Sequence, residues 1–191
     1  MGLFDKLFGK RDKAAAVPIG TGAVRPSVPT VRFDQSRVSA AVEAEVRSTL
    51  QGVPEIGAGE FASAYDAALR SVRAGRDLKV LHDALVGLGL TKQCASEVAR
   101  LVNNRATSLM DRERQGSLGI TEAVWRYSGA PCTASSKMPS LEDRKRDADH
   151  LAANGKRYVV VEGMLMNGRR VWPGQEPGCK CVSKSVIPGI G

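Results

Sequence analysis

Three of the four cysteines and one of the two histidines in this 191-residue chain stand in its last third, as Cys132, His150, Cys179 and Cys181. That third, residues 116–191, has few large apolar side chains, and a small module with a thin core needs a staple to hold it together. Three sulfurs and an imidazole are a donor set that a closed tetrahedral zinc site uses. Cys179 and Cys181 are two residues apart, so along extended chain their side chains leave the same face and both sulfurs can approach one ion. Cys132, in a loop, and His150, at a helix end, can complete the shell. Other readings stay open, because there is no C-x-x-C pair. The thiols can remain reduced, Cys132 can pair with Cys179 or Cys181 in a disulfide in oxidising surroundings, and His150 can serve as a cation at its helix terminus.

Hydrophobic spacing predicts the elements around these residues. In residues 36–115, Val38, Val42, Val46 and Leu50 recur every four positions before Gly52 and Pro54 end the segment. Phe61, Tyr65, Leu69 and Val72 repeat the pattern up to Gly75, and Leu78, Leu81, Leu85 and Leu88 do so up to Gly89. Thr91 caps a longer helix with Cys94, Val98, Leu101, Val102 and Leu109 inward, running out into DRERQ and Gly116. Four amphipathic helices with short connections predict a small bundle. Cys94 reads as a buried thiol on the apolar stripe, and His82, one position off the leucine stripe, as a surface or boundary side chain.

Residues 116–191 change period. ITEAVWRY predicts a strand, Ser140 with Asp143 three residues on predicts a capped helix over LEDRKRDADHLAAN, and KRYVVVEGM predicts a second strand. Asn167-Gly168 is a two-residue hairpin signal, Trp172-Pro173-Gly174 a further turn, and GCKCVSKSVIPG a last short strand. The fold class is therefore α+β: an extended arm, a helical bundle, and a C-terminal α+β module with short antiparallel strands, stapled by zinc or a disulfide.

Residues 1–35 read as the arm. Leu3, Phe4, Leu7 and Phe8 share one helical face and form a candidate partner-docking anchor, too short to be stable alone. The following AAAVPIGTGAVRPSVPTVRF is rich in proline and glycine and favours extended chain. The chain carries 28 Lys and Arg against 20 Asp and Glu, a net charge of +8, and the surplus lies at the two ends while the middle is nearly neutral. Such a balance suits salt-sensitive, sequence-independent contact with DNA or an acidic protein surface, and assigns no particular DNA-contacting residue. No apolar run approaches the roughly 18 to 20 residues that span a bilayer, and the opening lacks a secretory pattern, so the expectation is a soluble protein.

Enzyme signatures are missing from the sequence. GTG at 20–22 has no Gly-Lys-Ser/Thr behind it, and no G-x-S-x-G elbow occurs. Hydrolytic zinc would need an open coordination position and a base. Asp147 and Asp149, beside His150, read as solvated carboxylates on a polar helix.

The order VWRYSGAPC, DADHLAANGKRY and PGQEPGCKCVSKSVIPG resembles the tail of phage head morphogenesis proteins, the minor head protein family of protein F of phage Mu. The matching residues are Trp125, Cys132, His150, Asn154, Gly155, Lys156, Pro173, Gly174, Cys179, Lys180 and Cys181. The chain departs from the family pattern in lacking the C-x-x-C that many relatives carry after the aromatic strand, Cys132 standing there alone. The resemblance implies a non-enzymatic virion component, made in the bacterial host cytoplasm and placed near the portal vertex. Its implied partners are portal, major capsid or neck proteins and packaged DNA, within an oligomeric assembly. The implied role is capsid assembly or genome delivery. A neck or head–tail connector subunit in a symmetric ring is the alternative within that class; a toxin-like or metal-dependent enzyme and a small nucleic-acid-binding regulator are the alternatives outside it.

Overall fold

Four of the five described α-helices start where a side chain satisfies backbone N–H groups that a helix leaves open. In the computed structural model, which describes residues 33–134, 138–187 and 189, the first regular element is a short 3-10 turn, Gln35–Arg37. Helix α1, Ala40–Gln51, is capped by the Ser39 hydroxyl, which accepts from the Val42 N–H. α2 is Phe61–Arg73, and α3, Leu78–Gly87, is capped by the Asp77 carboxylate. α4, Lys92–Ser117, is capped by Thr91. The anchor expected at Leu3, Phe4, Leu7 and Phe8 lies outside the described residues.

These four helices enclose an apolar cluster built on Val42, Val46, Leu50, Leu81, Leu85, Val98 and Val102. Two expected faces are rotated. On α2 the buried residues are Ala64, Ala67, Ala68 and Val72, while Phe61, Tyr65 and Leu69 sit at the rim. Small side chains let the neighbouring helices approach closely, and the aromatic rings are covered instead by Arg47, whose guanidinium lies 4.3 Å from the Tyr65 ring centre. On α4 the inward line is Ala95, Val98, Ala99, Val102, Ala106 and Met110, so Cys94, Leu101 and Leu109 are half-buried rather than central. One polar group inside is satisfied: Asn103 Nδ2 donates to the Ala99 carbonyl at 2.9 Å and to the Ser71 hydroxyl at 3.0 Å.

After α4 the chain forms β1, Glu122–Arg126, then α5, Leu141–Ala153, then β2, Arg157–Val159. A hairpin of β3, Met164–Met166, and β4, Arg169–Val171, follows, and β5, Val182–Ser185, closes the series. The order in the larger sheet is β2-β1-β5, all antiparallel, with Ala123 opposite Tyr158 and Trp125 opposite Ser183. The Asn167-Gly168 turn is present, with φ of 49° and 76° as a two-residue hairpin of that type requires. The strand expected over KRYVVVEGM is interrupted, because the Glu162 and Gly163 N–H groups both turn back to the Val159 carbonyl, at 3.1 and 2.9 Å.

One face of β5 rests on α4. Gln115 Nε2 donates to the hydroxyls of Ser183 and Ser185, at 3.1 and 2.9 Å. Asn104 Nδ2 donates to the Cys179 carbonyl at 3.0 Å, and Arg105 Nε to the Gln175 carbonyl at 2.9 Å. A second cluster lies behind β1 and comprises nine buried residues: Ala123, Trp125, Cys132, Ala153, Tyr158, Val160, Val171, Cys179 and Cys181. Three of the nine are cysteines, which makes the chemistry of those thiols the question for this half. Among the described residues no helix is long and apolar enough to cross a membrane.

Candidate metal centre

The four expected donors converge. Cys132, His150, Cys179 and Cys181 are all buried, and their ligand atoms lie within 4.8 Å of one another. Each comes from a different local setting. Cys132 stands in the loop after β1, His150 in the last turn of α5, and Cys179 and Cys181 on the extended segment entering β5. On that segment Lys180 is exposed between its two buried neighbours, which is the alternation that sends both sulfurs to one side.

Two of the donor–donor distances come close to those of a tetrahedron around one ion. Zinc–sulfur bonds of 2.3 Å place two sulfurs about 3.8 Å apart, and a nitrogen donor slightly closer. Cys132 Sγ is 3.6 Å from Cys181 Sγ, and Cys181 Sγ is 3.8 Å from His150 Nδ1. All four cysteines are free. The disulfide between Cys132 and Cys179 or Cys181 is therefore not formed: bonded sulfurs stand about 2.05 Å apart, and here the side chains splay around a common centre instead. His150, in the last turn of α5, is fully buried.

Outer contacts orient each donor. His150 Nε2 lies 2.9 Å from the Glu176 carboxylate, which leaves Nδ1 facing the sulfurs. A carboxylate behind a ligating imidazole fixes its tautomer and raises its basicity. The Cys132 N–H donates to Asp147 Oδ1 at 2.7 Å, and the same oxygen accepts from the Tyr127 hydroxyl at 2.8 Å. Asp147 is thus a clamp on the ligand loop, not the solvated carboxylate expected from a polar helix. The Gly174 N–H donates to Cys179 Sγ at 3.2 Å. The α5 N-terminus is held by a full capping box between Ser140 and Asp143, and Asp143 also accepts from the Ala134 N–H at 3.3 Å. At the other end of α5, the Gly155 N–H donates to the Trp125 carbonyl at 2.8 Å. The Trp125 ring packs 5.0 Å from the His150 ring.

Gly178 makes the closure sterically feasible. Its φ is +70°, and a Cβ there would fall 2.2 Å from the Thr133 carbonyl carbon. The two ligand loops therefore meet backbone against backbone, one residue beyond Cys132 and one before Cys179. Only glycine fits that approach.

The electrostatics follow from crowding three thiols against one ring. The Cys132 thiol is held well below its ordinary range, because Cys179 and Cys181 donate hydrogen bonds to its sulfur, with His150 adding to them. Cys181 is pushed up by the same neighbours and by burial. Burial alone would lower the imidazole of His150, but hydrogen bonds to Cys132, Cys179 and Glu176 lift it to about 11. Glu176 is held low, chiefly by His150. The crowding thus favours the thiolate at Cys132 and opposes it at Cys181. Four buried protein donors of this kind could hold a metal ion.

Sequence spacing located the four donors but missed Glu176, Asp147 and Gly178. A histidine ligand calls for an acceptor on its other nitrogen, yet nothing in PGQEPGC marks Glu176 as that acceptor before the chain is folded. Cys94 is remote from the cluster on α4, its thiol pushed up by burial and by Glu55 and Glu97. No protein-family model, curated protein or solved structure matches this chain.

Proposed function

We propose that the chain is a non-enzymatic structural component of a phage particle, a minor head protein near the portal vertex that assists capsid assembly or genome delivery. In this reading its C-terminal third is knit by a structural zinc ion on Cys132, His150, Cys179 and Cys181. The observation that carries the reading is the closed, buried cluster of three sulfurs and one nitrogen. Borderline-soft donors of that kind in a tetrahedral shell select zinc over magnesium or calcium, which take oxygen ligands. Four protein ligands with a carboxylate behind the histidine favour a structural over a catalytic ion.

The virion role is supported by where the residues of the family resemblance lie. Trp125, Cys132, His150, Cys179 and Cys181 are widely spaced in sequence, yet all belong to this one buried cluster. The order of those residues is thus the signature of one physical object. The basic surplus of +8 suits a neighbour that is DNA or an acidic capsid surface.

Two measurements test the proposal in its two parts. Native mass spectrometry of the purified chain is expected to show one zinc per chain, lost on treatment with acid or chelator; a metal-free chain of full thermal stability would remove the zinc reading. Mass spectrometry of purified particles and procapsids is expected to find the chain at low copy near the portal. Its absence from both would remove the virion reading, and an abundance fitting a symmetric ring would turn it into a connector subunit.

A further inference from the structure

α4 and the segment that carries Cys179 and Cys181 enclose a cleft of about 200 Å³. Arg112 lines it, with its guanidinium carbon 4.2 Å from the centre of the Trp172 ring. That ring is fixed, because its Nε1–H donates to the Val160 carbonyl at 2.8 Å. Arg112 is half-buried, and its Nε has no hydrogen-bond partner among the described residues. Glu45 and Glu113 act on it only through space, and burial pushes its pKa down. Some other arginines, such as Arg146 and Arg169, pair directly with a carboxylate.

A partly dehydrated cation without a counter-charge is unfavourable, and contact with an indole face recovers only part of that cost. The rest of the cleft reinforces the imbalance. Arg76 and Lys180 also line it, and their hydrogen bonds, to Asn104 Oδ1 and the Pro131 carbonyl, are to neutral acceptors. Asp111, the acidic residue on the wall, already pairs with Arg37 at 3.0 Å. Three cations around one small cleft favour a multiply charged oxyanion over a single carboxylate, and the planar guanidinium fork matches the oxygen spacing of a phosphate.

We propose that this cleft binds a phosphate group, with Arg112 on its Trp172 platform as the anchor and Arg76 and Lys180 as flanking cations. A free phosphate ester and a nucleic-acid backbone present the same chemistry. The inference rests on the cleft and stands whether or not the chain is a virion component.

The test titrates the zinc-loaded full chain with inorganic phosphate and, separately, with a short DNA duplex, following the Trp172 indole resonance. Saturable shifts are expected, with Arg112→Gln weakening binding by about tenfold or more, Arg112→Lys falling between, and Arg126→Gln, outside the cleft, leaving it unchanged. Arg112-dependent binding of both probes assigns the nucleic-acid backbone as source, and binding of phosphate alone assigns a small phosphate ester. No saturable shift in the wild type, binding indifferent to Arg112, or tighter Arg112-dependent binding of a glutamate-rich peptide would each overturn the proposal. If Arg112→Gln fails to fold, the wild-type titrations and Arg112→Lys decide the matter by the same criteria.

Discussion

The helical half buries 17 apolar residues in one cluster, from Val42 on α1 to Met110 on α4, beside the buried polar Thr49, Ser71, Asn103 and Gln115. The C-terminal third buries nine, of which Trp125 and Tyr158 are the large ones and three are cysteines. In the first region an apolar residue of similar volume keeps most of the free energy of burial, because the hydrophobic effect has no direction. In the second, the thin cluster is completed by groups that act only at the right distance and angle: four donors, a carboxylate behind His150, and a glycine where two loops touch. One half is held by quantity of apolar surface and the other by placement of a few polar atoms. They should therefore fail differently.

The largest effect is expected from Cys181→Ser or from chelation. A structural zinc ion of the kind proposed would contribute on the order of 10–16 kcal/mol of binding free energy to folding, far more than a nine-residue cluster can replace. The near-UV signal of the buried Trp125 should collapse while the far-UV signal of α1 to α4 persists. A single cooperative loss of both would break the comparison. Next, Leu85→Ala, at a fully buried position, should destabilise the helices by about 2–5 kcal/mol and leave the zinc content unchanged by mass spectrometry.

Glu176→Gln sharpens the contrast. It removes the charge behind His150 without touching a ligand, and zinc affinity measured against a competing chelator should fall roughly 10- to 100-fold. Thermal melting of the helical half should not move. The smallest effect is that of Asp143→Asn at the α5 capping box, about 1 kcal/mol. Burial works to raise the Asp143 carboxyl, but the N–H groups of Ser140 and Ala134, the Ser140 hydroxyl and Arg146 hold it below its ordinary value. A lowered folded-state pKa contributes stability above the unfolded value of about 3.9, and that contribution is lost as pH falls through the folded one. The difference in melting temperature between wild type and variant should thus be constant above about pH 5 and close below about pH 3.

Much of this architecture was legible before folding. Caps at Thr91 and Ser140 stand beside the helices they begin, and Asn167-Gly168 made its hairpin, because such signals are local. The rotation of α2 was not legible, since the alternating alanines and aromatics permit two faces and only the neighbouring helices choose between them. The break after Val159 was hidden for a similar reason: KRYVVVEG suits extended chain until Trp172 takes the Val160 carbonyl and the backbone turns.

From the sequence alone followed the five α-helices of the described residues, the α+β class, and the four residues able to hold an ion, because periodicity, caps and ligand chemistry are properties of short stretches. Tertiary structure alone decided that those four meet in one buried shell, that Glu176 and Asp147 stand behind it, and that Gly178 lets the loops close. It also left Arg112 on Trp172 without a counter-charge. Each of these depends on residues far apart in the chain arriving within a few ångströms of one another, and spacing along a sequence carries no record of that.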